Sequence, residues 1–293
     1  MVLLDGKQLA REIKAELAQQ TAQQIANGGK VPHLAAILVG DNPASKVYVR
    51  NKVRSCEQVG FHSTLIRKPA DISEDELLHI IAELNQDPGI DGFIVQLPLP
   101  DHLDEHKITL AIDPSKDVDG FHPVNIGRMA LGLPCYLPAT PCGIVQMLSR
   151  YDIPTSGKEV VVIGRSNIVG TPISILLSRK DKVGNATVTL CHSRTTDLLE
   201  HTRRADIIIA SVGRPNTVTA DMVKEGVVII DVGINRVEDS EAAKGYRLVG
   251  DVDFEGVSAK ASYITPVPGG VGQMTVVSLL MNTFSASKRE IYG

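Results

Sequence analysis

Tryptophan is absent from the 293 residues, and aromatic residues make up only 4% of the chain. The core must then be filled by Val, Ile, Leu and Ala, which suits parallel sheets covered by helices, whose buried strands are aliphatic runs. No sign of charge dominates. Thirty Lys and Arg stand against 34 Asp and Glu, a net charge of -4, so nothing draws the protein toward nucleic acid or an anionic membrane. Any anion site must be local. Long hydrophobic runs are missing too. Segments such as Ile207–Val212 and Val227–Ile230 are strand-sized, far short of the ~20 residues a membrane helix needs. Asp5, Lys7, Arg11 and Glu12 interrupt the first residues, which excludes a signal peptide there. Cysteine is sparse: Cys56, Cys135, Cys142 and Cys191 form no CxxC and have no His at zinc-finger spacing. Reduced thiols in a cytoplasmic protein without a bound metal are the expectation.

What is there alternates strand with helix, the pattern of an α/β fold. A helix is expected over about Gly6–Gln24, then a strand at Leu34–Val39, a helix over about Ala44–Val59 and a strand at His62–Ile66. Ser73 and Glu76 form a capping box, and a further strand, Gly92–Gln96, ends against Leu97-Pro98-Leu99-Pro100. Residues 101–139 carry Pro114, Pro123, Pro134 and Pro138 and read as loop-rich. Thr140-Pro141 reads as an N-cap followed by proline at N1, opening a helix that bridges two domains. From Glu159 the rhythm tightens into βαβ, with strands at Val160–Ile163, Ala186–Cys191, Asp206–Ala210 and Val227–Asp231. The stretch Thr265–Gly272 has the composition of a crossing point before a last helix from about Met274. Two domains follow, 1–140 with the returning helix 273–293, and 141–272.

Val160–Ile163 runs into Gly164-Arg165-Ser166-Asn167-Ile168-Val169-Gly170. A strand, a glycine turn and a helix start is the context in which backbone amides meet a pyrophosphate. The match to GxGxxG is imperfect, because Ser166 holds the middle glycine position and Val169 the third. On spacing alone, a plain tight turn of another α/β domain fits as well. The next strand ends in Cys191-His192-Ser193-Arg194, without the acid that holds ribose hydroxyls in NAD sites. A hydroxyl and two guanidinium groups, Arg165 and Arg194, suit a 2′-phosphate instead. The expected cofactor is NADP. The turns at Gly213 and at Gly233-Ile234 end later strands and are ordinary as single features.

Tyr48 and Lys52 stand at i, i+4 on one helix face. Taken alone, Lys52 suits a solvated helix face. Gln96 closes a buried strand, and Asp117-Val118-Asp119-Gly120-Phe121 forms a turn beyond it, at the strand ends where parallel sheets bind ligands. A carboxylate at Asp119 could accept two N–H groups from an amidine-like ring edge; a simple Asp-Gly turn fits the same residues.

The segments Ser45–Lys52, Asp91–Pro100, Lys116–Phe121, Gly164–Gly170, Cys191–Thr195 and Pro266–Gly272 together closely resemble the methylenetetrahydrofolate dehydrogenase/cyclohydrolases. They occur in family order along nearly the whole chain. Ala139 and Gln273 depart from it, where Cys and Pro are common. The resemblance implies an N-terminal α/β catalytic domain and a Rossmann-like NADP-binding domain, with the C-terminal helix returning to the first. It implies oxidation of methylenetetrahydrofolate by NADP+ and hydrolysis of the methenyl product to 10-formyltetrahydrofolate, in one cleft of a cytoplasmic homodimer. By the same resemblance Lys52 is the general acid/base, with Tyr48 and Gln96 as orienting partners. Asp119 anchors the pterin, and Leu97, Pro98, Pro266 and Gly270 line the folate. Gly164, Arg165, Ser166, Val169, Gly170, Ser193, Arg194, Gly213 and Ile234 take the cofactor. Two other readings share the architecture: a shikimate dehydrogenase-like enzyme, which needs no pterin anchor at Asp119, and a catalytically silent NADP-binding module, which needs no Lys52. ATP-dependent formyl ligation finds no GxxxxGK[ST] loop.

Overall fold

The structure, a computed structural model, describes residues 1–242 and 245–292. In chain order it begins with β1 (Val2–Leu3), α1 (Gly6–Ala26), β2 (His33–Val39), α2 (Pro43–Gln58), β3 (His62–Lys68), α3 (Glu74–Gln86) and β4 (Gly92–Val95). Three helices follow, α4 (Glu105–Ala111), α5 (Pro123–Ala130) and α6 (Ala139–Arg150). The denser part holds β5 (Glu159–Ile163), α7 (Gly170–Ser178), β6 (Thr187–Cys191), α8 (Leu198–Arg204), β7 (Ile207–Ala210) and β8 (Val228–Asp231). The chain closes with β9 (Asn235–Glu238), β10 (Tyr246–Val249), α9 (Phe254–Ser258), β11 (Tyr263–Ile264) and α10 (Val271–Ser287).

These elements form two compact units. One holds Met1–Ala10 and Thr140–Thr275, the other Arg11–Ala139 and Val276–Gly293. The divisions fall within α1, α6 and α10.

The first unit is built on a six-stranded parallel sheet in the order β1-β11-β8-β7-β5-β6. Every residue of β7 and β8 is buried, as expected of central parallel strands covered on both faces. From β5 the chain steps to β6 on one side and then to β7 on the other. That reversal is the switch point, where a crevice opens at the carboxyl ends of the strands. An antiparallel hairpin of β9 and β10 stands outside the sheet, with the Arg236 guanidinium 3.9 Å from the centre of the Tyr246 ring.

The second unit has a three-stranded parallel sheet, β3-β2-β4. Its core is aliphatic, with Phe93 fully buried among Ile37, Leu77, Ile81 and Ile108. Helix α3 begins as its capping box requires, the Ser73 Oγ accepting the Glu76 N–H at 3.2 Å. The last helix does return to this unit. Asn282 Nδ2 donates to the carbonyls of Val118 and Leu137 at 2.8 and 2.9 Å, Gln24 Nε2 donates to Ser287 Oγ at 3.1 Å, and the rings of Phe61 and Phe284 stack.

Three local expectations need correction. Residues 101–139 contain two helices, because caps and prolines start them. Asp104 accepts the N–H groups of His106 and Lys107 at the head of α4, and His122 Nδ1 accepts from Val124 where Pro123 opens α5. Helix α6 begins at Ala139, so Pro141 sits third in its first turn, where an amide would have no helical partner anyway. Finally, β1, β9, β10 and β11 escape the sequence reading. β1 and β11 have two residues each, and the hairpin strands are four residues each, Asn-Arg-Val-Glu and Tyr-Arg-Leu-Val, with no buried residue and charged side chains interrupting any apolar run.

Asp117 ties α5 to the end of the three-stranded sheet. Its buried carboxyl accepts the N–H groups of Phe121 (3.2 Å) and His122 (2.8 Å) and Asn125 Nδ2 (2.9 Å). Asn125 in turn accepts the Tyr136 N–H and the Tyr292 hydroxyl. Burial pushes the Asp117 carboxyl up to about 7, with nearby Asp119 adding to the effect and the three N–H donors opposing it. The folded protein therefore holds this proton more tightly than the unfolded chain. The resulting stability is complete below about pH 4 and is lost as pH rises through about 7, at up to about 1.4 kcal/mol per pH unit. Asp117→Asn removes that slope. Relative to the parent, the variant should gain about 2–3 kcal/mol between pH 5 and pH 7.5 in urea unfolding. A difference that does not change with pH would show that Asp117 titrates like an exposed carboxylate.

Candidate active site

Helix α2 opens with Pro43 and with the Asn42 side chain accepting the Ser45 N–H at 3.3 Å. Its buried positions are Ser45, Val49, Lys52, Ser55 and Cys56, at i, i+4, i+7, i+10 and i+11, so they form a single stripe. Lys52 therefore sits on the inward stripe of an amphipathic helix, with only 8% of its surface exposed. An ordinary surface lysine does not occupy such a position. Its Nζ donates to Gln96 Oε1 at 3.2 Å.

Gln96 is held from both sides. Its backbone N–H continues the ladder to Ile37 O at 2.9 Å, and its side-chain Nε2 donates to Leu97 O at 2.7 Å. That second bond fixes the amide orientation: nitrogen toward the Leu97 carbonyl, oxygen toward Lys52. The Leu97–Pro98 peptide is cis. Tyr48, four residues before Lys52, is 42% exposed, and no hydrogen bond joins it to Lys52 or Gln96 among the described residues. Lys52 is thus hydrogen-bonded to Gln96 and not to Tyr48. Asp119 is half-buried and lines a recess with Val95, Leu97, Thr109 and Phe121. Gln96 and Asp119 are therefore linked through Leu97, which neighbours the one and shares a wall with the other. Cys56, on the same stripe as Lys52, is unreactive, because burial pushes its thiol up to about 12.

In the six-stranded unit the glycine turn follows β5. Gly164 has φ +112°, and a Cβ there would stand 2.3 Å from Ser211 O, so only glycine lets the ends of β5 and β7 approach this closely. Helix α7 then starts at Gly170 after Val169. Ser166, in the middle glycine position, accepts the N–H groups of Val169 and Gly170 at 3.2 and 3.4 Å. The serine hydroxyl thus engages the first amides of the helix, which a glycine would have left bare. A cavity of about 580 Å³ lies against Gly164, Arg165, His192, Ser193, Val212 and Arg214, within the range of small-molecule sites. Arg165, Ser193 and Arg194 are exposed. The turn after β6 is held by His192, which accepts the Arg194 N–H at Nδ1 and donates its own N–H to Thr195 Oγ1.

Gly213 and Ile234 are exposed on the turns after β7 and β8. Pro266 and Gly270 lie between β11 and α10 in the same unit. Of the two departures from the family pattern, Ala139 is buried and donates its N–H to Asp119 O at 3.2 Å, and Gln273 lies in the first turn of α10. The sequence reading missed two buried acids, Asp231 and Asp251, which hold the turns carrying Gly213 and Ile234. The flanking glycines in Asp231-Val232-Gly233 and Gly250-Asp251 were the available signal.

Comparison with known proteins agrees with this geometry over the whole length. Residues 4–119 match the tetrahydrofolate dehydrogenase/cyclohydrolase catalytic domain, and residues 138–291 match the NAD(P)-binding domain of the same family. The chain is 62% identical over 288 residues to the bifunctional protein FolD of Flavobacterium johnsoniae, covering 98% of each chain. It is 58% identical to FolD of Bacteroides fragilis across 100% of both. Among solved structures, the bifunctional FolD enzyme of Campylobacter jejuni superposes with a TM-score of 0.93 at 49% identity, covering 99% of both chains. The Trypanosoma brucei dehydrogenase-cyclohydrolase, solved with NADP cofactor and inhibitor, gives 0.93 at 36% identity over 100% of this chain and 99% of that one. The chain belongs to the tetrahydrofolate dehydrogenase/cyclohydrolase family.

Proposed function

We infer that the protein oxidises 5,10-methylenetetrahydrofolate with NADP+ and hydrolyses the 5,10-methenyl product to 10-formyltetrahydrofolate, with Lys52 as the general acid/base of the hydrolysis. The observation that carries this reading is the buried Lys52 amine, hydrogen-bonded to an amide whose orientation is fixed. Gln96 Oε1 accepts an N–H from either protonation state of the lysine and brings no charge. A neutral Lys52 amine that donates one N–H to Gln96 keeps its lone pair free, so it can take the proton of an attacking water and return it to the departing ring nitrogen. Asp119, in its recess, offers two acceptor oxygens to the paired N–H groups of a pterin edge.

A dinucleotide fits the six-stranded unit. The cavity beside Gly164 lies at the sheet's switch point, and the segment after β6 presents Ser193 and Arg194 where NAD sites place an acid. Arg165, Ser193 and Arg194 would hold the 2′-phosphate, Gly164, Ser166, Val169 and Gly170 would border the pyrophosphate, and Gly213 and Ile234 would lie along the rest. When bound, NADP+ supplies the hydride acceptor. Tyr48, Leu97 and Pro98 complete the folate contacts of the three-stranded unit in this reading. The family resemblance further supports a homodimer in the cytoplasm. No helix among the described residues is long and apolar enough to cross a membrane.

Three substitutions test the assignment. Lys52→Met keeps much of the stem's packing and removes the amine. Hydride transfer moves no proton through a side chain, whereas the hydrolysis should fall by roughly 10²–10⁴-fold, with methenyltetrahydrofolate accumulating in a coupled spectrophotometric assay. Hydrolysis at the parent rate would sink the assignment. Asp119→Ala should weaken folate binding about tenfold or more, since charge-assisted hydrogen bonds contribute roughly 1.5–3 kcal/mol, while NADP+ binding persists in calorimetry. Unchanged folate affinity would leave Asp119 a turn residue. Arg165→Ala should weaken NADP+ far more than NAD+, because only NADP+ carries the 2′-phosphate; equal losses would assign Arg165 to the pyrophosphate or the fold.

A further inference from the structure

Asp251 has no exposed surface, and its carboxylate gathers four N–H donors. Oδ2 accepts the backbone N–H groups of Val212 at 2.6 Å and Gly213 at 3.0 Å. Oδ1 accepts that of Arg214 at 2.9 Å and the Asn235 side-chain Nδ2 at 2.9 Å. The first three donors are the whole turn after β7, and the fourth stands beside Ile234 in the turn after β8. Asp231 holds Asp251 in its turn. Its Oδ1 accepts the N–H groups of Asp251 (2.9 Å) and Gly233 (3.0 Å), and its Oδ2 that of Val252 (3.0 Å). The two acids admit each other through glycines. A Cβ on Gly233 would stand 2.2 Å from Asp251 Oδ1, and one on Gly250 would stand 1.8 Å from Asp231 Oδ2.

Packing does not require the turn after β7 to be held so firmly. Gly213 and Arg214 are exposed, and a Cβ on Gly213 would meet no atom within 4 Å. What the turn does border is the cavity beside Gly164 and Arg165. Asp117 fixes residues only four to eight positions away, whereas Asp251 reaches back 37 to 39 positions to an exposed loop. A buried charge held entirely by N–H donors sets backbone direction strongly, because rotating any of those amides away leaves the carboxylate undersolvated.

We propose that Asp251 is a positioning residue for the cofactor, fixing the backbone of Val212–Arg214 and, through Asn235, the neighbourhood of Ile234, so that both turns present a preformed edge to the bound dinucleotide. The proposal rests on the reading that Gly213 and Ile234 meet NADP+. Preformed loops bind more tightly because their ordering cost is already met in the free protein.

Asp251→Asn keeps the shape but turns one oxygen into an N–H₂ group facing N–H donors. Calorimetry with NADP+, NAD+ and 5-formyltetrahydrofolate measures the effect. The NADP+ Kd should rise about tenfold to a hundredfold, the NAD+ Kd by a similar factor, and the folate Kd by less than about twofold, with unfolding still cooperative. Arg165→Ala serves as the control, since it strikes NADP+ selectively if the site is read correctly. An unchanged NADP+ Kd in Asp251→Asn beside a raised one in Arg165→Ala overturns the positioning role and leaves the site reading intact. No change in either variant overturns both. Parallel loss of NADP+ and folate binding in a folded Asp251→Asn protein makes Asp251 a general structural residue and also overturns the proposal. Should Asp251→Asn fail to fold, Asn235→Ala decides, because it removes one donor and the tie to the second turn. A rise of about threefold to tenfold in the NADP+ Kd with unchanged folate Kd upholds the proposal, and no change overturns it.

Discussion

Burial of parallel strands on both faces governs where chemistry can occur in this protein. β2, β4, β5, β7 and β8 are almost wholly aliphatic and closed to solvent. No side chain within them is free to act, so the candidate functional groups fall at carboxyl ends, on a covering helix or, for Asp119, in the turn before α5. Gln96 follows β4, the Gly164 turn follows β5, Ser193 and Arg194 follow β6, Gly213 follows β7 and Asp231 ends β8. Lys52 is the exception that depends most on packing. It is carried on the buried stripe of α2, and its amine emerges at Gln96.

The same burial sets the electrostatics. Asp117, Asp231 and Asp251 have lost most or all of their water, and each is compensated by N–H donors. For Asp117 and Asp231 burial outweighs that compensation and pushes the carboxyls up to about 7 and about 6. For Asp231 and Asp251 the donors come at strand ends, where the sheet ladder stops and leaves amides unpaired, and for Asp117 they come from the head of α5. The acids thus shape the irregular backbone that the regular elements cannot.

Much of this was legible in the sequence. The aliphatic runs mark β2, β4, β5, β7 and β8 within a residue or two, and Ser73 with Glu76 marks the start of α3. The family motifs point to Lys52 and Gln96 before any geometry is known. The helices α4 and α5 were not legible, because His122-Pro123 looks like a loop until the histidine is seen to cap the helix. The β9–β10 hairpin was hidden because its strands are only four residues long, are not buried and carry Arg236, Glu238 and Arg247 among their apolar residues, with Arg236 packed over the Tyr246 ring. Asp251 escaped for a different reason. Its partners lie 37 to 39 residues away, and a Gly-Asp pair near a strand end reads as an ordinary turn until the fold closes the distance.

In the proposed site this arrangement would separate holding the cofactor from choosing it. The groups suited to recognising a 2′-phosphate, Arg165, Ser193 and Arg194, are exposed side chains on turns. The groups that shape the backbone around the cavity, Gly164, Asp231 and Asp251, are buried and locked to one another or to a neighbouring strand end. Exchange of an exposed side chain costs little stability, usually within about 0.5 kcal/mol, whereas loss of a buried hydrogen-bonded charge disturbs every donor around it. On the proposed site, cofactor preference would therefore change by surface substitution alone, while the edge offered to a dinucleotide would stay fixed by the buried acids.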